Sequence, residues 1–164
     1  DCIITVKDTL GLRLEVTNQS QEDALVFENC FHTYFEVGNV TEISISGLEG
    51  AEYLDKVANF ARARETRREI RIASEVDRIY LDTTAPVEII DPRLSRRLRI
   101  EKAGSASTVV WNPWITKAQQ MPDFGNDEYL RMVCVESGNV SPNQITLNPG
   151  ETSVLSITLS SQPL

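Results

Sequence analysis

The chain has 164 residues, 41% of them hydrophobic and 24% charged, with a formal net charge of −8. That length is one domain's worth and leaves room for a proper core. The acidic balance excludes a nucleic-acid partner, which Lys and Arg must hold by its phosphates, and no apolar run approaches the ~20 residues of a membrane span.

The dominant periodicity along the chain is two. Ile4–Val6 and Leu12–Val16 alternate apolar and polar residues around a turn at 8–11. Leu25–Phe27, Phe31–Val37 and Val40–Ser46 follow as strand-like runs, then Glu69–Ala73, Arg78–Asp82, Val87–Ile90, Leu98–Glu101 and Thr108–Trp111. Tyr129–Val135, Gln144–Leu147 and Thr152–Leu159 complete the set. Gly-, Asn- and Pro-containing turns separate the runs at short intervals, among them Gly38-Asn39, Asp91-Pro92 and Asn148-Pro149-Gly150. Many short strands at regular spacing predict an all-β protein, an antiparallel sandwich or barrel forming a single domain over 1–164. One segment competes: Leu54, Val57, Ala58 and Ala61 fall on a helical face, so 52–66 reads as a helix, whereas the resemblance carried by the motifs below implies an irregular crossing loop there, and the two stand even. A short helical turn is expected near 126–130.

No basic leader with an apolar stretch opens the chain, so a cytoplasmic location is expected. Cys2, Cys30 and Cys134 are odd in number and lie in or beside apolar runs. They read as reduced thiols, with no Cys-x-x-Cys spacing, and neither a metal nor another cofactor is expected. Residues 60–102 hold 11 of the 16 basic residues. Arg62, Arg64, Arg67, Arg68, Arg71, Arg93, Arg96, Arg97 and Arg99 could dock a sugar phosphate, or simply form a solvated face with Glu65, Glu69 and Glu101; the second reading is favoured.

The single histidine, His32, stands between two strand-like runs, and Glu136 ends another. Imidazole ordinarily titrates near ~6.5 and a glutamate near ~4.3, so the two suffice for acid–base chemistry near neutrality. Taken alone, a single histidine is more often a structural residue than a catalyst, and Glu136 reads equally as an exposed strand-end carboxylate.

Several motifs occur in order: His32-Thr33-Tyr34-Phe35, then 47–56 with Tyr53-Leu54-Asp55-Lys56, then Val76-Asp77-Arg78-Ile79-Tyr80. Val109-Val110-Trp111-Asn112-Pro113-Trp114, Met121-Pro122-Asp123-Phe124-Gly125 and Cys134-Val135-Glu136 follow. As a set they resemble the hexose-6-phosphate mutarotase branch of the aldose 1-epimerase family, from about Ile4 to about Leu159. The resemblance covers what corresponds to the C-terminal half to two-thirds of that fold, a galactose-mutarotase-like supersandwich. It implies a sugar or sugar-phosphate substrate whose α and β anomers are interconverted. It also implies His32 as the acid at the ring oxygen and Glu136 as the base at the anomeric hydroxyl, acting from opposite sides of the sugar. Asp77 matches the family's sugar-binding aspartate. Tyr34, on the histidine's face of its strand, is assigned to the substrate; Trp114 is a substrate candidate with a core role left open, and Trp111 reads as core, as large aromatics in β proteins more often are. The family's second histidine and phosphate-binding arginines belong to the earlier part of the fold. A chain without those strands is expected to hide an apolar face by forming a homo-oligomer. The alternative to an enzyme is a carbohydrate-binding or self-associating sandwich without turnover.

Overall fold

The structure, a computed structural model, describes residues 1–164. In chain order the elements are β1 (Cys2–Val6), β2 (Leu10–Thr17), β3 (Leu25–Phe27), β4 (Asn29–Phe31), β5 (Tyr34–Glu36), β6 (Ser44–Ser46), β7 (Glu52–Asp55) and β8 (Ala61–Arg64). They continue with β9 (Glu69–Ile70), β10 (Val76–Leu81), β11 (Val87–Asp91), β12 (Arg96–Ala103), β13 (Ser107–Asn112), α1 (Trp114–Gln120), β14 (Met132–Asn139), β15 (Ile145–Leu147) and β16 (Thr152–Pro163). Single 3-10 turns lie at Glu128–Arg131 and Ser141–Asn143. Strands take 51% of the residues against 9% helical, and every pairing is antiparallel, as the two-residue period predicts.

One sheet runs β1-β2-β16-β12-β11-β6-β9, the other β4-β14-β13-β10-β7-β8 with β5 also paired to β14; β15 and β3 form a small ribbon. The core lies between the two large sheets. Ile45, Ile70, Val87, Ile89, Leu98 and Ile100 come from the first, and Val76, Tyr80, Val110, Val133 and Val135 from the second. In β11 the alternation is direct, with Val87 and Ile89 fully buried and Glu88 and Ile90 only partly so. The β12–β13 connection, which crosses from the first sheet to the second, turns on Gly104 at φ 66°, where a Cβ would meet the Val154 carbonyl oxygen at 1.8 Å, so only glycine fits.

The segment 52–66 is neither helix nor irregular crossing. It is the β7–β8 hairpin, in register Glu52↔Arg64 to Asp55↔Ala61. Asp55 Oδ1 accepts the Val57 and Ala58 amides, and Asn59 and Phe60 take left-handed φ of 54° and 60°. This local turn chemistry overrides the helical spacing of four apolar residues. Conversely, α1 was not expected from the periodicity. It follows β13 because buried Asn112 accepts the Trp114 amide at 2.9 Å and donates to the Tyr129 and Met132 carbonyls, forcing the chain to turn. Trp114 sits there at φ 56°, a strained conformation for an aromatic residue that these bonds over-determine. The expected Phe31–Val37 strand splits into β4 and β5. The expected turn near 126–130 is the 3-10 turn Glu128–Arg131, which shortens the following strand to a start at Met132.

Candidate active site

The outer face of the second sheet can be read as a grid, because residues directly opposite in paired strands share a face and alternate residues along a strand do too. One row is Tyr34, Cys134, Trp111 and Asp77. Lys56 follows Asp55, the partner of Arg78, and donates its amide to the Asp77 carbonyl, so it stands at the end of this row. The next row is Glu136, Val109, Ile79 and Leu54. Between β4 and β5 the ladder opens at His32 and Thr33, yet Phe31↔Ser137 and Tyr34↔Cys134 keep one register across the gap. His32 therefore falls opposite Glu136. Thr33 closes the opening from the other face, its hydroxyl donating to the Val135 carbonyl.

His32 Nδ1 lies 3.2 Å from Glu136 Oε1; the imidazole is 68% exposed and the carboxylate only 7%. With Nδ1 against the carboxylate, Nε2 is the nitrogen left to meet a ligand. Burial raises the Glu136 carboxyl above the ordinary range, and Asp77 adds to this; His32, the Cys30 thiol and Lys56 act the other way. The Cys30 thiol donates to Glu136 Oε2 at 3.6 Å. Gly138 makes room for it, since a Cβ there would meet the Asn29 carbonyl oxygen at 2.4 Å and Cys30 Sγ at 2.8 Å.

Two adjoining hollows of about 220 and 410 Å³ share His32, Lys56, Val109 and Glu136. The smaller adds Tyr34, Asp77, Trp111 and Met121. The larger adds Phe60 from the β7–β8 turn, beside Cys30 and Ile79. Asp77 Oδ2 pairs with Lys56 at 3.0 Å and lies 3.8 Å from Lys117, while its Oδ1 is buried with no hydrogen-bond partner. A larger hollow of about 560 Å³ lies between the 47–52 and 81–85 turns. It contains no histidine and none of its carboxylates is buried, so it lacks an acid–base pair.

The structure brings His32, Glu136, Asp77 and Tyr34 to one hollow. It corrects the two tryptophans. Trp111 lines the hollow and meets Tyr34 edge-on at 5.9 Å, whereas Trp114 packs on the core cluster and against Tyr129 at 5.3 Å. The one-residue phase of the strand puts Trp111 on the outer face with Val109, and the turn pinned by Asn112 swings Trp114 inward. His32 and Glu136, expected on opposite sides of a sugar, stand side by side. Lys56 and Cys30 escaped sequence reasoning, although Cys30 lies two residues from His32, a spacing that on a strand means a shared face. Of the nine arginines considered for phosphate, none lines either hollow. Arg62 and Arg64 pair with Glu52, Arg67 with Glu65, Arg71 with Glu69, Arg93 with Glu42, and Arg97 and Arg99 with Glu88. They form the solvated face. No helix is long and apolar enough to cross a membrane.

Residues 2–160 match the family described as Aldose 1-epimerase. Over 133 residues the chain is 41% identical to a Cenchrus ciliaris protein provisionally named glucose-6-phosphate 1-epimerase, covering 81% of this chain and 40% of that protein. An Escherichia coli K12 protein of the same provisional name is 32% identical over 116 residues, or 71% of this chain and 39% of its own length. The chain thus spans about two fifths of these relatives. The crystal structure of YeaD from Salmonella typhimurium, provisionally a mutarotase, superposes with a TM-score of 0.90 at 25% identity, covering 99% of this chain and 53% of that one. With the family model matched over nearly its whole length, the chain belongs to the aldose 1-epimerase family.

Proposed function

We propose that this chain carries the acid–base pair of an isomerase that interconverts the α and β anomers of hexose 6-phosphates. Residues 1–164 act in this reading as one unit of the family's larger sandwich. The observation that carries it is the coincidence of three features in one hollow: an exposed imidazole, a buried carboxylate beside it, and a buried Asp77 oxygen without a donor. The relatives' names supply the phosphorylated substrate.

Ring opening breaks the C1–O5 bond, moves a proton onto O5 and takes one from O1. Both oxygens are bonded to the same carbon, so an acid and a base side by side can reach both. His32 Nε2 protonates O5 while Glu136 accepts the O1 proton. After rotation about the C1–C2 bond, protonated Glu136 returns a proton to O1 as His32 takes one from O5, and the pair is restored. Burial raises the carboxyl, which suits it to give the proton back as well as take it. Asp77 Oδ1 accepts a sugar hydroxyl, and Trp111 and Tyr34 cover the C–H face of the ring.

Polarimetry of freshly dissolved α-glucose 6-phosphate with the purified protein tests this reading. Equilibration faster than the buffer blank, abolished in Glu136→Gln, is expected. Equilibration of the wild type at the blank rate overturns it, and calorimetric titration of the same sugar then separates a binding protein from one that ignores sugars.

A further inference from the structure

The reaction above leaves the Cys30 thiol without a part, yet it sits at the centre of the site. Cys30 Sγ, an imidazole nitrogen of His32 and a Glu136 oxygen all lie within 4.8 Å of one another. Zinc holds thiolate sulfur at ~2.3 Å and imidazole or carboxylate atoms at ~2.0–2.2 Å, so the edges of its tetrahedron are roughly 3.3–3.6 Å. The two oxygens of the carboxylate face the two other donors separately, Oε1 at 3.2 Å from His32 Nδ1 and Oε2 at 3.6 Å from Cys30 Sγ, so the Glu136 carboxylate lies between them at distances of that order. The backbone holds them there: Cys30 and His32 share one face of neighbouring residues in the β4 chain, Glu136 stands across on β14, and Gly138 lets the two strands close up at the thiol. One sulfur, one imidazole nitrogen and one carboxylate form a donor set for zinc-like ions and a poor one for Mg²⁺ or Ca²⁺. Of the ammonium groups that act on these donors, Lys56 is tied to Asp77, and Lys102 donates to Thr83, the Ser107 carbonyl and Thr108. Burial and the adjacent carboxylate push the thiol up to about 12, so it stays protonated until a metal displaces the proton to solvent.

We propose that Cys30, His32 and Glu136 form a three-ligand site for Zn²⁺ and ions of similar softness, with the fourth position open to water through the exposed side of His32. A bound ion takes a Glu136 lone pair that accepts the O1 proton and, held at Nδ1, keeps His32 from becoming the imidazolium that protonates O5, so zinc and anomer exchange exclude each other. That second clause rests on the proposed function; the binding does not.

Cobalt(II), a spectroscopic stand-in for zinc, tests the site on the purified protein under a thiol-free reductant. The expected result is one ion per chain, with near-ultraviolet thiolate charge-transfer absorption, intense tetrahedral visible bands and displacement by zinc. Cys30→Ser abolishes the charge-transfer band, and Cys2→Ser, on exposed β1, keeps it. His32→Asn, at an exposed position that the fold does not need, keeps the band but weakens binding at least ~10-fold, which covers the case of a Cys30→Ser chain that does not fold. A wild type without the band at millimolar cobalt overturns the site, as does a band that survives Cys30→Ser. A protein that shows the spectrum but never speeds mutarotation retains the metal site and loses the proposed reaction.

Discussion

His32 and Glu136 meet at 3.2 Å across the one place where the β14 ladder is interrupted, in register with the strands on either side. The gap frees the histidine for solvent while the unbroken register keeps it opposite its partner. Removing either ionisable group at nearly constant volume isolates its chemistry. His32→Asn and Glu136→Gln are each expected to lower kcat by ~10²–10⁴-fold with the far-ultraviolet circular dichroism unchanged. Turnover of His32→Asn within a factor of a few of wild type identifies another acid.

The same carboxylate costs stability. Its folded value is raised by burial above that of the unfolded chain, so the native state binds more protons between the two values. The contribution is fully present below the ordinary carboxylate range and lost as pH rises through the folded value. Glu136→Gln, permanently neutral, is therefore expected to melt at a higher temperature than wild type near pH 7, the difference closing toward pH 4. Calorimetric scans across that range check it. A lower Tm for Glu136→Gln at neutral pH shows that the His32 and Lys56 pairing outweighs desolvation.

The sandwich is legible in the sequence because its strands alternate cleanly. Val87, Ile89 and the β12 residues Leu98 and Ile100 announce which face is inside, and the turns between them use Gly, Asn and Pro where the backbone demands it. The site is legible only in part. Tyr34, Asp77 and Glu136 lie on regular strands and His32 in a gap that keeps their register, so a two-residue period fixes their face. Lys56 and Phe60 lie in a turn made by Asp55 and two left-handed residues, and no periodicity foretells which way such a turn projects. The tryptophans fail for a related reason: Trp111 is the last outward residue before Asn112, and a single buried amide decides that Trp114 turns in.

That division between the tryptophans is measurable. Trp114→Ala removes a side chain packed on the core and is expected to cost ~3–5 kcal/mol in denaturant unfolding. Trp111→Ala costs less stability and raises KM. In fluorescence titrations with glucose 6-phosphate, the signal change is expected to persist in Trp114→Phe and vanish in Trp111→Phe. The opposite pattern returns Trp114 to the substrate.

β1 pairs only with β2, and Ile3, Ile4 and Val6 are 47%, 64% and 74% exposed along it. An apolar strand with an unpaired edge is a template for pairing with another chain. Light scattering at micromolar concentration is expected to give a dimer, and the double substitution Ile4→Lys, Val6→Lys a monomer. A monomeric wild type removes the β1 edge as an interface.

Asp77 and Lys56 act on the base with opposite signs, which makes them a matched test of the site. Asp77 raises the Glu136 carboxyl and Lys56 lowers it. If Glu136 is the base, the acid limb of its pH–rate profile moves to lower pH in Asp77→Asn, because a negative neighbour is gone. In Lys56→Met the limb moves to higher pH, because a positive one is. Asp77→Asn carries a second signature. Its Oδ1 is buried and unpartnered, and a sugar hydroxyl that supplies the missing hydrogen bond is worth ~1–3 kcal/mol, so KM rises by ~10–100-fold. Lys56→Met leaves that acceptor in place and is expected to shift the limb with a smaller rise in KM. Limbs that move together, or not at all, show that the rate does not depend on the Glu136 carboxylate, whatever the effect on KM.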